Sequence, residues 1–174
     1  MSFPWSDLPH DDPEWYQRRA LHIRAGEGPG LWAAGDIYSL KATGTQTNGS
    51  LGLIEATIVP GAGPEPHAHT REAESFYLLT GELEFLDGDT TFTAGPGDFV
   101  HIPRGTRHRF KNVGIHAARM LIIFTPAGVE EVIAEFAKPA IPGQLAPNLG
   151  TDGDSDRSVQ MIAKSRSVDL PDLR

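Results

Sequence analysis

The sequence predicts an all-β fold, a barrel or sandwich built from many short strands. Short apolar or alternating runs recur at regular spacing from residue 21 onward, glycine and proline separate nearly all of them, and Asp87-Gly88 sits between two such runs as a hairpin signal. Side chains alternate across a strand, so each run can turn one face to a core. A tight two-residue turn needs positive φ, which glycine adopts at little cost.

Residues 1–20 read as an arm, rich in Pro and Asp with anchoring aromatics Phe3, Trp5, Trp15 and Tyr16 rather than a regular element. Strands are expected at Leu21–Arg24, Asp36–Lys41, Gly52–Val59, Ser75–Thr80, Glu82–Leu86, Thr90–Thr93, Asp98–Ile102, Arg107–Asn112 and Arg119–Phe124. Thr125-Pro126 then offers a helix start, with Thr125 as cap and Pro126 at the first helical position, where a missing N–H costs little. Val129, Val132, Ile133 and Phe136 follow at helical spacing. Glu130, Glu131 and Glu135 take the other face, so this short helix is expected to lie against the outside of the barrel, ended by Pro139 and Pro142. Barrel and helix together make one unit, 21–142. Residues 143–174 are polar through Thr151–Asp156 and are expected as a flexible tail in which Val159–Ile162 is apolar enough to dock. No internal repeat is visible, so a single unit is expected.

A length of 174 residues suits one domain with a substantial core. Fifteen Lys and Arg against twenty-three Asp and Glu give a net charge of −8, which disfavours nucleic acid and anionic membranes as partners. The absence of cysteine excludes a disulfide framework and a thiolate metal site. The opening MSFPWSDLPHDD lacks the basic-then-apolar order of a secretory signal, and the longest apolar run, Met120–Phe124, is too short to cross a bilayer. A cytoplasmic location is the expectation.

The chemistry is concentrated in two segments, Gly61-(x5)-His67-x-His69-(x4)-Glu74-(x6)-Gly81 and Gly97-(x5)-Pro103-x-Gly105-(x2)-His108-(x3)-Asn112. His67 and His69, two apart on a strand, face one interior; Glu74 follows across a short turn, and His108 arrives from a later strand. Three imidazoles and a carboxylate suit a divalent first-row transition ion, and four protein donors leave room on an octahedral ion for water or substrate. Iron, manganese, nickel, cobalt, copper and zinc all accept such donors.

These paired segments resemble the two motifs of the cupin superfamily, including the glycine and proline positions and the fifteen residues Glu82–Pro96 between them. The resemblance implies a jelly-roll type cupin β-barrel with His67, His69, Glu74 and His108 holding one metal ion per chain. Glu74-x-Phe76-Tyr77 with Gly81 looks like the quercetin 2,3-dioxygenase-like group of small bacterial cupins. What that implies is a dioxygenase acting on a small metal-chelating phenolic or enol substrate, with Glu74 as general base. The same metal would serve a cupin isomerase, decarboxylase or polyketide cyclase, and a non-catalytic small-molecule-binding cupin is the reading from another class. Small cupins commonly pair through edge strands and an amino-terminal arm, so a homodimer is expected. No DNA-binding helix pair is apparent on either flank.

Glu72 shares the parity of Glu74 and is expected at the rim, as the one alternative carboxylate ligand. His101 reads as structural, and His10, His22 and His116 as ordinary polar positions. Arg104, Arg107 and Arg109 surround a turn where solvated charge is common, so no catalytic role is expected for them. Phe76, Leu78 and Phe110 share the parity of the ligands and either shape an apolar pocket or simply fill the barrel.

Overall fold

The computed structural model describes residues 20–33, 35–144, 146 and 167–169. Among these residues, twelve strands form two antiparallel sheets that face each other as a jelly-roll sandwich. In chain order they are β1 (Gly30–Ala33), β2 (Asp36–Ala42), β3 (Gly52–Ile58), β4 (His67–His69), β5 (Ala73–Thr80) and β6 (Leu83–Asp87), followed by β7 (Thr90–Ala94), β8 (Phe99–Ile102), β9 (His108–Lys111), β10 (Ala118–Thr125), β11 (Lys138–Pro139) and β12 (Ser167–Asp169). A short helix α1 (Gly44–Thr47) follows β2, and α2 (Val129–Phe136) follows β10. The seven-stranded sheet runs β11-β1-β2-β3-β10-β5-β8, and the five-stranded sheet runs β12-β4-β9-β6-β7. The all-β expectation holds, realised as two packed sheets.

Alternation builds the core. In the seven-stranded sheet Ile54, Ile122, Phe76 and Val100 form one inward row across β3, β10, β5 and β8, and Ala56, Met120 and Leu78 form the next. From the other sheet Phe85 and Phe110 reach Phe76 at ring-centroid distances of 5.1 and 5.8 Å. Edge-on aromatic packing of this kind adds to burial alone. At one end of these rows, Gly52, Phe124, Glu74 and Ile102 line up across the same four strands, which places Glu74 at an end of the sandwich.

Most expected strands are present within a residue or two, and β6 and β7 form the hairpin, closed by Gly88 and Asp89. Four differences have physical causes. Leu21–Arg24 is not a strand: Glu27 N–H donates to the Arg24 carbonyl at 3.0 Å, closing a turn that leaves Leu21 exposed. β1 forms after that turn and pairs with β2. Thr125 caps no helix, because it is the last residue of β10; α2 opens at Gly128 instead. Glu130, expected on the outer face of that helix, is fully buried, and its carboxylate accepts the Gly44 and Gly128 N–H groups, both at 2.8 Å. Glu131 accepts from Thr45 N–H and Oγ1 at 2.9 Å, so the acidic face docks α2 on α1.

The aromatic arm, His10 and Val159–Ile162 lie outside the described residues. Within the segment expected as a tail, Ser167–Asp169 is a strand paired with β4. Among the described residues no helix is long and apolar enough to cross a membrane.

Candidate metal centre

β4 supplies His67 and His69, β5 supplies Glu74 and β9 supplies His108, so both sheets contribute to one cluster. One potential ligand atom from each of the four lies within 4.8 Å of every other. His67 and His108 are ladder partners across β4 and β9. The Gly105 N–H donates to the His69 carbonyl at 2.8 Å, tying the second motif to the first. His69 and His108 place Nε2 at 3.0 and 2.8 Å from the same oxygen, Oε2 of Glu74.

The outer nitrogens are also fixed. His67 Nδ1 lies 2.8 Å from the Glu65 carbonyl and His108 Nδ1 lies 2.8 Å from the Thr106 carbonyl. A carbonyl only accepts, so both Nδ1 atoms carry the proton and both Nε2 atoms turn inward with metal-binding capacity. Burial lowers the pKa of His67 to about 4, against the opposing charge of Glu74, so this imidazole is neutral near pH 7. For His108 burial lowers the pKa, but the hydrogen bond and charge of Glu74 outweigh it and the net direction is up. For Glu74 burial raises the pKa, and hydrogen bonds from His108 and His69 outweigh it, holding the group as a carboxylate below the usual range.

The residues fit a metal ion. Two donors each about 2.1 Å from one ion stand about 3.0 Å apart when adjacent and about 4.2 Å apart when opposed. The two short contacts here match the adjacent case, and the upper bound of 4.8 Å leaves the set compact. A cation would take the place of the protons through which these histidines now meet Glu74.

A cupin domain pattern matches residues 54–124, from β3 through β10, and all four clustered residues lie inside that span. The chain belongs to the cupin superfamily. This cupin is 24% identical to quercetin 2,3-dioxygenase of Bacillus subtilis (strain 168) over 117 residues, 67% of this chain and 34% of that protein. It is 37% identical to polyketide synthase CurC of Streptomyces cyaneus over 101 residues, 56% of this chain and 64% of that protein. Protein SchB of Streptomyces halstedii is 30% identical over 100 residues, 56% of this chain and 71% of that protein. The cupin thus spans about a third of the dioxygenase and just under two thirds of CurC. Its fold matches KdgF from Halomonas sp. with a TM-score of 0.57 at 18% identity, covering 66% of this chain and 99% of that one.

The rival residues fall outside the cluster. Glu72 is buried rather than at a rim, because its inward parity carries it beneath the start of α2: its Oε1 lies 3.4 Å from where a Cβ on Gly128 would stand. Arg71 Nη1 is 3.4 Å from the same oxygen. His22, His101 and His116 are exposed, and His101 Nδ1 meets Ser75 Oγ at 2.8 Å. Arg107 donates to the Gly88 carbonyl at 2.8 Å and Arg109 to Glu84 at 2.9 Å, which are structural uses. Asn112 closes the second motif by donating Nδ2 to the Ile58 and His116 carbonyls at 2.9 and 2.8 Å.

Two neighbours of the site were not singled out from sequence. Phe124 presents its ring edge-on to His69 at 5.9 Å. The inward parity of Met120, Ile122 and Phe124 was the available signal. Tyr38 on β2 is buried, and burial together with the charges of Asp36 and Glu74 raises its pKa well above the usual range. Nothing local in the β2 sequence marks it.

Proposed function

We propose that this cupin is a metal-dependent dioxygenase acting on a small phenolic or enol substrate that chelates the metal. The observation that carries the reading is the convergence of His69 and His108 on one oxygen of Glu74, with His67 completing a set of four. His67, His69, Glu74 and His108 would hold one divalent transition ion, and four protein donors leave coordination positions for two substrate oxygens. A bound ion supplies Lewis acidity that favours the ionised form of a substrate hydroxyl.

The chain's own residues supply the rest. Glu74 stays a carboxylate and the histidines meet its Oε2, which supports a role for its other oxygen as general base toward a substrate hydroxyl. Phe124 beside His69 keeps that side of the centre apolar. Phe76, Phe85 and Phe110 pack on one another in the buried core, Phe76 and Phe110 each two residues along the strand from Glu74 and His108. Such walls favour a flat, largely apolar substrate. The substrate anion is then electron-rich enough to combine with dioxygen, with both oxygen atoms ending in the products as a carbon–carbon bond breaks. Similarity to quercetin 2,3-dioxygenase supports this reading.

The 37% identity to polyketide synthase CurC favours a second reading, in which the same anion isomerises, loses carbon dioxide or cyclises without oxygen. Oxygen-electrode assays of the metal-loaded protein with a panel of chelating phenols and enols separate the two. The dioxygenase reading expects dioxygen uptake matched to substrate loss. Unchanged turnover under strict anaerobiosis overturns it in favour of the second, and tight ligand binding without turnover would make the protein a binding module. We also assign it a cytoplasmic location and a homodimeric state, in which pairing of two copies would cover exposed sheet edges. A single monomeric species on sizing at micromolar concentration would refute the dimer.

A further inference from the structure

We infer that the C-terminal strand β12 is a positioning element for the metal centre, its pairing along β4 setting the affinity with which His67 and His69 hold a divalent ion. The inference rests on the metal-centre reading above. β4 is three residues long and carries two of the four clustered side chains. On one edge its pairing with β9 is the single ladder position His67–His108. On the other edge all three residues have partners in β12: His69 with Ser167, Ala68 with Val168 and His67 with Asp169.

A strand held at one rung can turn about it, and the pleat decides where both imidazoles project. Beside that rung, the Gly105 N–H donates to the His69 carbonyl on the motif side. All three residues of β4 are paired with β12, so β12 contributes a share of what keeps so short a strand in place. Ligands held ready in their bound arrangement lose less freedom when the ion arrives. By linkage, an ion that binds better when β12 is docked must also dock β12 more firmly.

β12 is also the outermost strand of its sheet and pairs with β4 alone among the described strands. Its release would break no other ladder there, so its loss acts on the centre before it acts on the core.

The test uses the full chain. Backbone N–H groups of neighbouring residues in an antiparallel strand point alternately to its two sides, so one of Ser167 and Val168 donates toward β4 whichever the phase. The double variant Ser167→Pro/Val168→Pro removes it, and Ser167→Ala/Val168→Ala keeps it. Calorimetric titration with Ni2+ alone is expected to show binding weakened at least about tenfold in the proline variant, as for loss of other groups that orient metal ligands, and close to parental in the alanine variant. The metal-free melting temperature of the alanine variant should match the parent, and the proline variant should still melt in one cooperative transition. Independently, amide exchange at residues 167–169 of the unaltered protein should slow when Ni2+ is added. Parental Ni2+ affinity in the proline variant overturns the inference, as does exchange at 167–169 that ignores Ni2+. If the proline variant fails to fold, the exchange experiment decides alone. An unaltered protein that binds no Ni2+ refutes the metal centre itself, a different failure.

Discussion

His67 and His108 stand opposite each other as ladder partners across β4 and β9, with ring centroids 4.5 Å apart. Each donates its Nδ1 proton to the carbonyl of the residue two before it, so both present Nε2 to the same interior. Backbone pairing and a local hydrogen bond therefore aim each ring, and a distant part of the chain is needed only to bring the two strands together.

Removing one imidazole should empty the centre without unfolding the sandwich. His69→Ala is expected to weaken metal binding more than about a hundredfold, beyond the effect of losing an orienting group. Circular dichroism and metal content of the same sample check this, and full metal retention would contradict the ligand assignment.

The two neighbouring glutamates should behave differently. Glu74 contacts two histidines, whereas Glu72 lies under α2. Glu74→Gln should lose turnover and most metal affinity, while Glu72→Gln should keep its metal stoichiometry and lose stability instead. Metal analysis beside thermal melts separates these, and the reverse pattern would make Glu72 the ligand.

Asp36 should make stability fall as pH rises. Burial raises its pKa from 3.8 to about 7, and the Val59 N–H, donating to Oδ1 at 2.9 Å, only partly offsets this. Oδ2 is buried without a hydrogen-bond partner. A folded-state pKa above the unfolded one means that the proton favours the folded form; that contribution is complete below about pH 3.8 and is lost as pH rises through about 7. The penalty at alkaline pH is at most about 4 kcal/mol. Asp36→Asn should therefore gain more stability over the parent at pH 8.5 than at pH 5. Denaturant titrations at both values test this, and an equal offset at both would remove the acid from the account.

Gly52→Ala should be costly although glycine is seldom favoured in a strand. A Cβ there would stand 2.0 Å from Glu130 Oε2, displacing a buried carboxylate from the Gly44 and Gly128 N–H groups. A loss of about 1–3 kcal/mol is expected, as for overpacking elsewhere, measurable by urea unfolding. A neutral result would mean that Glu130 relocates freely.

The site was more legible in the sequence than the surroundings that hold it. His67, His69, Glu74 and His108 stood out because the two segments that carry them resemble the paired cupin motifs, and period-two alternation lets the two histidines of β4 share a face. Phe76, Leu78 and Phe110 followed from the same parity, and all are buried. Glu130 was not readable, because helical periodicity assigns a glutamate to solvent unless a distant backbone offers N–H groups; here α1 does so. β1 was missed because Gly30-Leu31-Trp32-Ala33 follows a glycine-rich turn and owes its form to pairing with β2. β12 escaped for a similar reason: three residues carry no period, and only the open edge of β4 makes them a strand.

The most direct test of the metal centre is the stoichiometry of divalent ion bound to the purified protein, by elemental analysis after loading and desalting. One ion per chain, lost in separate substitutions at His67, His69, Glu74 and His108 while the fold persists, is the predicted result. Absence of stoichiometric ion, or an ion retained when these four are replaced, would contradict it.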